Sequence, residues 1–233
     1  MADSIRERII HAIVSRLAII RTANGFQTNA GVNVIRARTA FDPSECPCLI
    51  VFPGVETRPN DPDKELVLRV QGAAVYGASS PDVIAEQIRS DVEEALTCPQ
   101  WTVTYTSGGA YEVVAGNTIT GATSGATGYV QSVTLSTGTW AAGTAAGTMV
   151  IRRRTGTFAA ENVNVGATTN VATVSATVPA TLQLALCTAS LASAIHYTGG
   201  GVEEYPQKSD TVVSCHADFK IVYATKRGNP FAQ

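Results

Sequence analysis

The sequence is poor in charge and in the residue types that do most chemistry. Only 15% of its 233 residues are charged, and its three histidines, His11, His196 and His216, are scattered. The formal net charge of -2 leaves no basic excess. That argues against binding nucleic acid by bulk charge, whose footprint is a basic domain. The opening MADSIRERII lacks the apolar run of a signal peptide. Arg6, Glu7, Arg8 and Arg16 bar residues 5–20 from spanning a bilayer, so no membrane partner is expected. The five cysteines, Cys46, Cys48, Cys98, Cys187 and Cys215, are odd in number and follow no leader, so reduced thiols in a bacterial or other cytosol are expected. What the chain has is apolar material, 45% of it, enough for one large domain or two small ones.

The local patterns read as α-β-β-β-α, then a break, then β-β. Ser4 and Glu7 have the spacing of a capping box, in which each side chain satisfies a free N–H of the first turn. Ile5, Ile9, Ile13 and Leu17 follow at helical spacing, predicting a helix that ends near Thr22, before Asn24-Gly25. Residues 32–38 alternate as a strand with Val32, Val34, Arg36 and Arg38 on one face. Residues 48–52 form an apolar strand closed by Pro53-Gly54, and 65–76 a longer one after the turn residues 60–63. Ser80-Pro81 opens a second helix with the stripe Ile84, Ile88, Val92 and Leu96, stopped by Cys98-Pro99. Residues 192–198 read as a strand leading into a flexible Gly199-Gly200-Gly201. Residues 211–223 alternate, with Cys215 on one face and His216 on the other.

Between these lies a different composition. Residues 101–180 hold 18 Thr, 11 Gly and 14 Ala but no Asp, Lys, His or Cys, and their only charges are Glu112, Arg152, Arg153, Arg154 and Glu161. Short Thr/Val runs between glycines predict an all-β module. Residues 117–124 and 162–169 echo one another within it. The expected fold is therefore α+β: two helices packed on a mostly antiparallel sheet formed by residues 1–100 and 181–233, with 101–180 as an inserted small all-β domain.

No stretch assembles a catalytic or metal-binding constellation. Adjacent residues of a strand point to opposite faces, so Cys215 and His216 do not form a nucleophile–base pair. Cys46-Pro47-Cys48 lacks the spacing and the further ligands of a structural zinc site. Glu203-Glu204 reads as a solvated loop without an apolar cage to raise a carboxyl pKa. No glycine-rich segment joins a strand to a helix as phosphate binding needs. Catalytic, cofactor and metal sites are thus expected to be absent. Arg36 with Arg38, and the run Arg152-Arg153-Arg154, are candidates for contact with phosphates or carboxylates. For both, and above all for the run, a solvated strand edge or hairpin is the plainer expectation.

The ordered motifs Ser4–Ile10, Val34–Arg38 leading to Phe41-Asp42-Pro43, Pro47–Phe52, His196–Gly201, Tyr205-Pro206 and Tyr223–Phe231 resemble the tail terminator (tail completion, minor tail) proteins of tailed bacteriophages. That resemblance implies a structural, non-enzymatic virion protein at the head–tail junction, made in the host cytoplasm. It implies a ring of copies of itself, usually hexameric, that ends tail-tube growth. The implied partners are the tail tube protein and a head–tail connector or stopper, with genomic DNA passing through unread. The tail Lys226 to Gln233, with Lys226, Arg227, Asn229 and Phe231, joins Arg36 and Arg38 as candidate interface. A competing expectation is a carbohydrate- or host-surface-binding module, with Trp101, Tyr105, Tyr111, Tyr129 and Trp140 as a stacking platform.

Overall fold

The computed structural model describes residues 3–38, 42–60, 62–75, 80–109, 111–180, 191–203 and 212–232. Phe41, Cys187, Glu204, Tyr205, Pro206 and Gln233, named above, lie outside the described residues, as do Asp61, Tyr76 and Thr211 within the ranges given. The chain divides into two compact units: residues 1–22, 26–97 and 183–233 form the first, and 23–25 with 98–182 the second. The fold is mixed α+β and mostly sheet.

Among the described residues, the first unit is a five-stranded sheet with two α-helices. Its strands are β1 (Asn33–Arg36), β2 (Cys48–Asn60), β3 (Asp63–Val75), β11 (Ala194–Glu203) and β12 (Val212–Ala224), in the order β1-β2-β3-β12-β11. All neighbours run antiparallel except β1 with β2. The C-terminal strand β12 lies between β3 and β11, and its odd positions Cys215, Ala217, Phe219, Ile221 and Tyr223 are buried. They join one apolar cluster with Leu66, Leu68 and Val70 of β3 and with the stripes of α1 (Ile5–Leu17) and α2 (Pro81–Thr97). Burying an aliphatic side chain of this size is worth roughly 1.5–3 kcal/mol.

Several local expectations need correction. Helix α1 ends at Leu17, not near Thr22, because Ile19 and Ile20 bond three residues back, to Arg16 and Leu17, and tighten the last turn. Its capping box is half formed: Ser4 Oγ accepts the Glu7 N–H, but the Glu7 carboxylate is held by Arg36. Strand β2 does not stop at Pro53-Gly54. Beyond Val51 it has no β1 partner, so the missing proline N–H is spared, and an irregularity between Pro53 and Glu56 absorbs the turn residues. Gly199-Gly200-Gly201 is not a flexible link but part of β11. A Cβ at Gly200 would lie 2.4 Å from the His216 carbonyl oxygen, which is why only glycine fits there.

The second unit is all-β and closed. Its strands are β4 (Gln100–Gly108), β5 (Thr118–Gly121), β6 (Thr127–Thr137), β7 (Ala145–Thr155), β8 (Glu161–Val165), β9 (Thr168–Val174) and β10 (Val178–Ala180). They pair in the order β10-β4-β7-β6-β5-β8-β9, and β9 pairs back onto β4 at Tyr105 and Thr106. The ring β4-β7-β6-β5-β8-β9 is thus an antiparallel barrel, which removes the exposed edges that short Thr-rich strands would otherwise present. The two echoing segments supply β5 and β8, which pair with each other. Val103, Tyr105, Ile119, Val130, Met149, Ile151, Phe158, Val163 and Val171 fill the barrel's core.

Candidate functional site

Arg36 and Arg38 do not share a face. Ala37 adopts φ 48°, a left-handed conformation that turns the chain out of β1. Arg36 reaches α1, where its Nη2 donates to Glu7 Oε2 at 3.0 Å and its Nη1 bonds the other carboxylate oxygen. The Arg36 guanidinium beside Glu7 holds that carboxyl below its ordinary value. Arg38 donates instead to Glu45 Oε1 at 2.6 Å. Glu45 also accepts the Asp42 N–H and closes a full capping box over Pro43–Glu45, a turn that sequence reasoning missed although Asp42 and Glu45 have the spacing.

The C-terminal tail folds onto its own chain. The Pro230 carbonyl accepts the N–H of Ile5 at 2.9 Å, satisfying a donor of the first turn of α1. Lys226 and Asn229 form an isolated bridge, and Asn229 Oδ1 accepts the Phe231 N–H. Phe231 remains 51% exposed.

On the sheet face away from the helices, charges are paired across strands. Arg69 of β3 makes a two-point contact with Asp218 of β12 at 2.8 and 2.9 Å, and Lys220 donates to Glu65 at 3.1 Å. Glu203 is not in a solvated loop: at the end of β11 it accepts from Gln71 at 2.6 Å and lies 3.2 Å from His216 Nδ1. His216 and Cys215 do face opposite ways. Burial pushes the Cys215 thiol up to about 12, and that of Cys48 likewise to about 12, so neither is a thiolate near neutrality.

Neither a family model nor a curated protein matches this chain.

The arginine run does not lie on an edge strand, since β7 sits between β4 and β6, and of its three residues Arg153 is exposed, Arg154 half-buried and Arg152 buried. Arg152 is fully buried within the second unit, where its Nη2 donates to the carbonyls of Asn24 at 3.2 Å and Gly25 at 2.7 Å. Its guanidinium lies 4.9 Å from the centre of the Tyr129 ring. A Cβ at Gly25, with φ +75°, would fall 1.7 Å from the Tyr129 hydroxyl oxygen, so only glycine lets this loop in. Arg153 also lies over Tyr129, and Arg154 covers Trp101 at 4.4 Å. The aromatic side chains do not assemble a platform. Tyr105 and Trp140 stack on each other at 5.1 Å, both buried, and cations cap the rings of Tyr129 and Trp101.

Proposed function

We propose that the chain is a structural virion protein of the tail-terminator kind. It forms a ring, usually hexameric, on the end of a phage tail tube, stops tube growth and offers the surface at which the head is joined. Its partners are copies of itself, the tail tube protein and a connector or stopper protein, and DNA passes through the ring without being read. The barrel is a domain inserted between the two stretches of the α+β core.

One observation carries the reading. The two stretches that bear the resemblance are separated by the Thr/Gly/Ala-rich segment, yet they fold as one unit in which β12 lies between β3 and β11. The side chains that would suggest chemistry are occupied structurally: Cys215 in the core, His216 beside Glu203, and Arg36 on Glu7. The surface-binding alternative draws less support, because Tyr105 and Trp140 stack on each other inside the barrel, arginines cap Tyr129 and Trp101, and Tyr111 packs partly buried against the barrel core.

Electron microscopy of purified protein mixed with tail tubes tests the proposal. Rings seated on one tube end are expected. Bare tube ends, together with retention on a glycan array, would overturn it in favour of the alternative.

A further inference from the structure

The five-stranded sheet ends on β11, and among the described residues this strand is paired on one side only, to β12. His196 and Glu203 are seven residues apart, a spacing that puts side chains on opposite faces of a regular strand. The irregularity between Tyr197 and Gly199 leaves Thr198 without a partner and cancels one step. His196 is therefore opposite Lys220 and Glu203 opposite Ser214, both on the face away from the helices. Tyr197, opposite Phe219, and Val202, opposite Cys215, lie on the helix face. Gly200 is opposite Ala217, and Lys220 and Ser214 are each three positions from Ala217. The free edge is thus chemically self-complementary about Gly200.

We propose that β11 pairs antiparallel with β11 of a second copy of this chain, about a two-fold axis at Gly200. In that register His196 meets Glu203 of the second copy on one face, twice by symmetry, and its imidazole N–H donates to the carboxylate. Glu203 is already steadied by Gln71 at 2.6 Å. On the other face Tyr197 meets Val202 of the second copy, an apolar residue that is 45% exposed in the single chain. Gly199 meets Gly201, so no side chain holds the backbones apart. The strand carries no Lys, Arg or Pro, the residues that usually blunt a free edge. The contact is isologous and closes at two copies, unlike the head-to-tail contacts of a ring. It therefore describes the free protein and stands independently of the tail-terminator reading.

Sedimentation equilibrium of the full chain over a concentration series tests this. A dimer is expected. His196→Glu sets like charges opposite each other twice and should raise the dimer dissociation constant about tenfold. His196→Lys should keep the dimer. In melts at concentrations too dilute for the dimer, His196→Glu should be no less stable than the parent, because the new carboxylate faces Lys220 of its own chain, and His196→Lys slightly less stable. Hydrogen exchange across residues 194–203 should slow with concentration in the parent and not in His196→Glu. A parent that stays monomeric throughout, or an oligomer whose dissociation constant ignores His196→Glu, would overturn the proposal.

Discussion

Glu161 reaches back to Ser124, whose backbone N–H it accepts at 2.8 Å and whose hydroxyl it also holds. The same carboxylate accepts the N–H groups of Thr123 and Ala159, so one buried side chain satisfies the turns on both sides of the β5–β8 pair. Burial alone pushes the Glu161 carboxyl up, but these hydrogen bonds outweigh it and hold the group at about 2, against an ordinary 4.5. A depressed pKa stabilises the fold above the unfolded value, and that contribution is lost as pH falls from about 4.5 towards 2. The stability difference between the parent and Glu161→Gln should therefore grow with pH across this window and level off above it. Urea unfolding followed by near-ultraviolet dichroism of Tyr105 and Trp140 measures it. A difference that stays flat between pH 2 and 5 would sink the assignment.

Asp91 should behave with the opposite sign. It is fully buried on α2 and accepts the N–H groups of Gln27 at 3.0 Å and Thr28 at 2.7 Å. Here desolvation wins over the hydrogen bonds and the carboxyl is raised above its ordinary 3.8. The charged form is disfavoured in the fold, so the contribution of Asp91 declines as pH climbs through 3.8. The stability difference between the parent and Asp91→Asn should therefore be flat below pH 3.8 and fall as pH rises above it, opposite in sign to that for Glu161→Gln. Asp91→Ala leaves two buried N–H groups without their acceptor and should cost about 1–3 kcal/mol at neutral pH.

The parts of this fold that were legible in the sequence are those fixed by one element's own periodicity. The stripe Ile5-Ile9-Ile13-Leu17 needs only a helix and an apolar neighbour, and the alternation of β12 needs only a sheet with one buried face. What escaped depends on partners distant in sequence. Arg152 looks like its exposed neighbour Arg153 in the sequence, and only the carbonyls of Asn24 and Gly25 draw it inside. Arg38 leaves the face of Arg36 because Ala37 takes a left-handed backbone, which alanine does not advertise. The barrel closes through β4 and β9, a pairing no local pattern specifies. The candidate interface residues were legible as surface, but not as members of internal pairs such as Arg36 with Glu7.

Cysteine labelling should separate buried from accessible thiols. Cys48 and Cys215 are buried, with thiols pushed up to about 12, whereas Cys98 is partly exposed at the end of α2. Brief treatment of the native protein with iodoacetamide at pH 8, read by peptide mass spectrometry, should modify Cys98 and spare Cys48 and Cys215. Both spared residues should label at once in denaturant. Rapid native labelling of Cys215 would contradict its burial beneath α2.

Arg152 should be poorly replaced even by lysine. Its planar guanidinium stacks on Tyr129 while donating to the carbonyls of Asn24 and Gly25, and an ammonium cannot reproduce that combination. Arg152→Met should cost roughly 1.5–3 kcal/mol, the range for hydrogen bonds to a charged group, and Arg152→Lys a large part of it. Arg153→Met, at an exposed neighbour, should stay within about 0.5 kcal/mol. Thermal melts of the three variants check the order, and equal losses at 152 and 153 would contradict the burial of Arg152.

The C-terminal tail offers a way to separate a structural from an assembly role. Because Pro230 accepts the Ile5 N–H, deleting residues 226–233 removes a cap from α1 and should cost about 1 kcal/mol. It should also speed hydrogen exchange in the first turn of that helix. Phe231→Ala leaves the Pro230 carbonyl in place and trims only an exposed ring, so its melting point should match the parent's. If the tail also meets a neighbouring subunit or the tube, Phe231→Ala should nevertheless reduce the fraction of tube ends capped in micrographs. A Phe231→Ala protein that caps as well as the parent would assign the tail to the stability of its own chain alone.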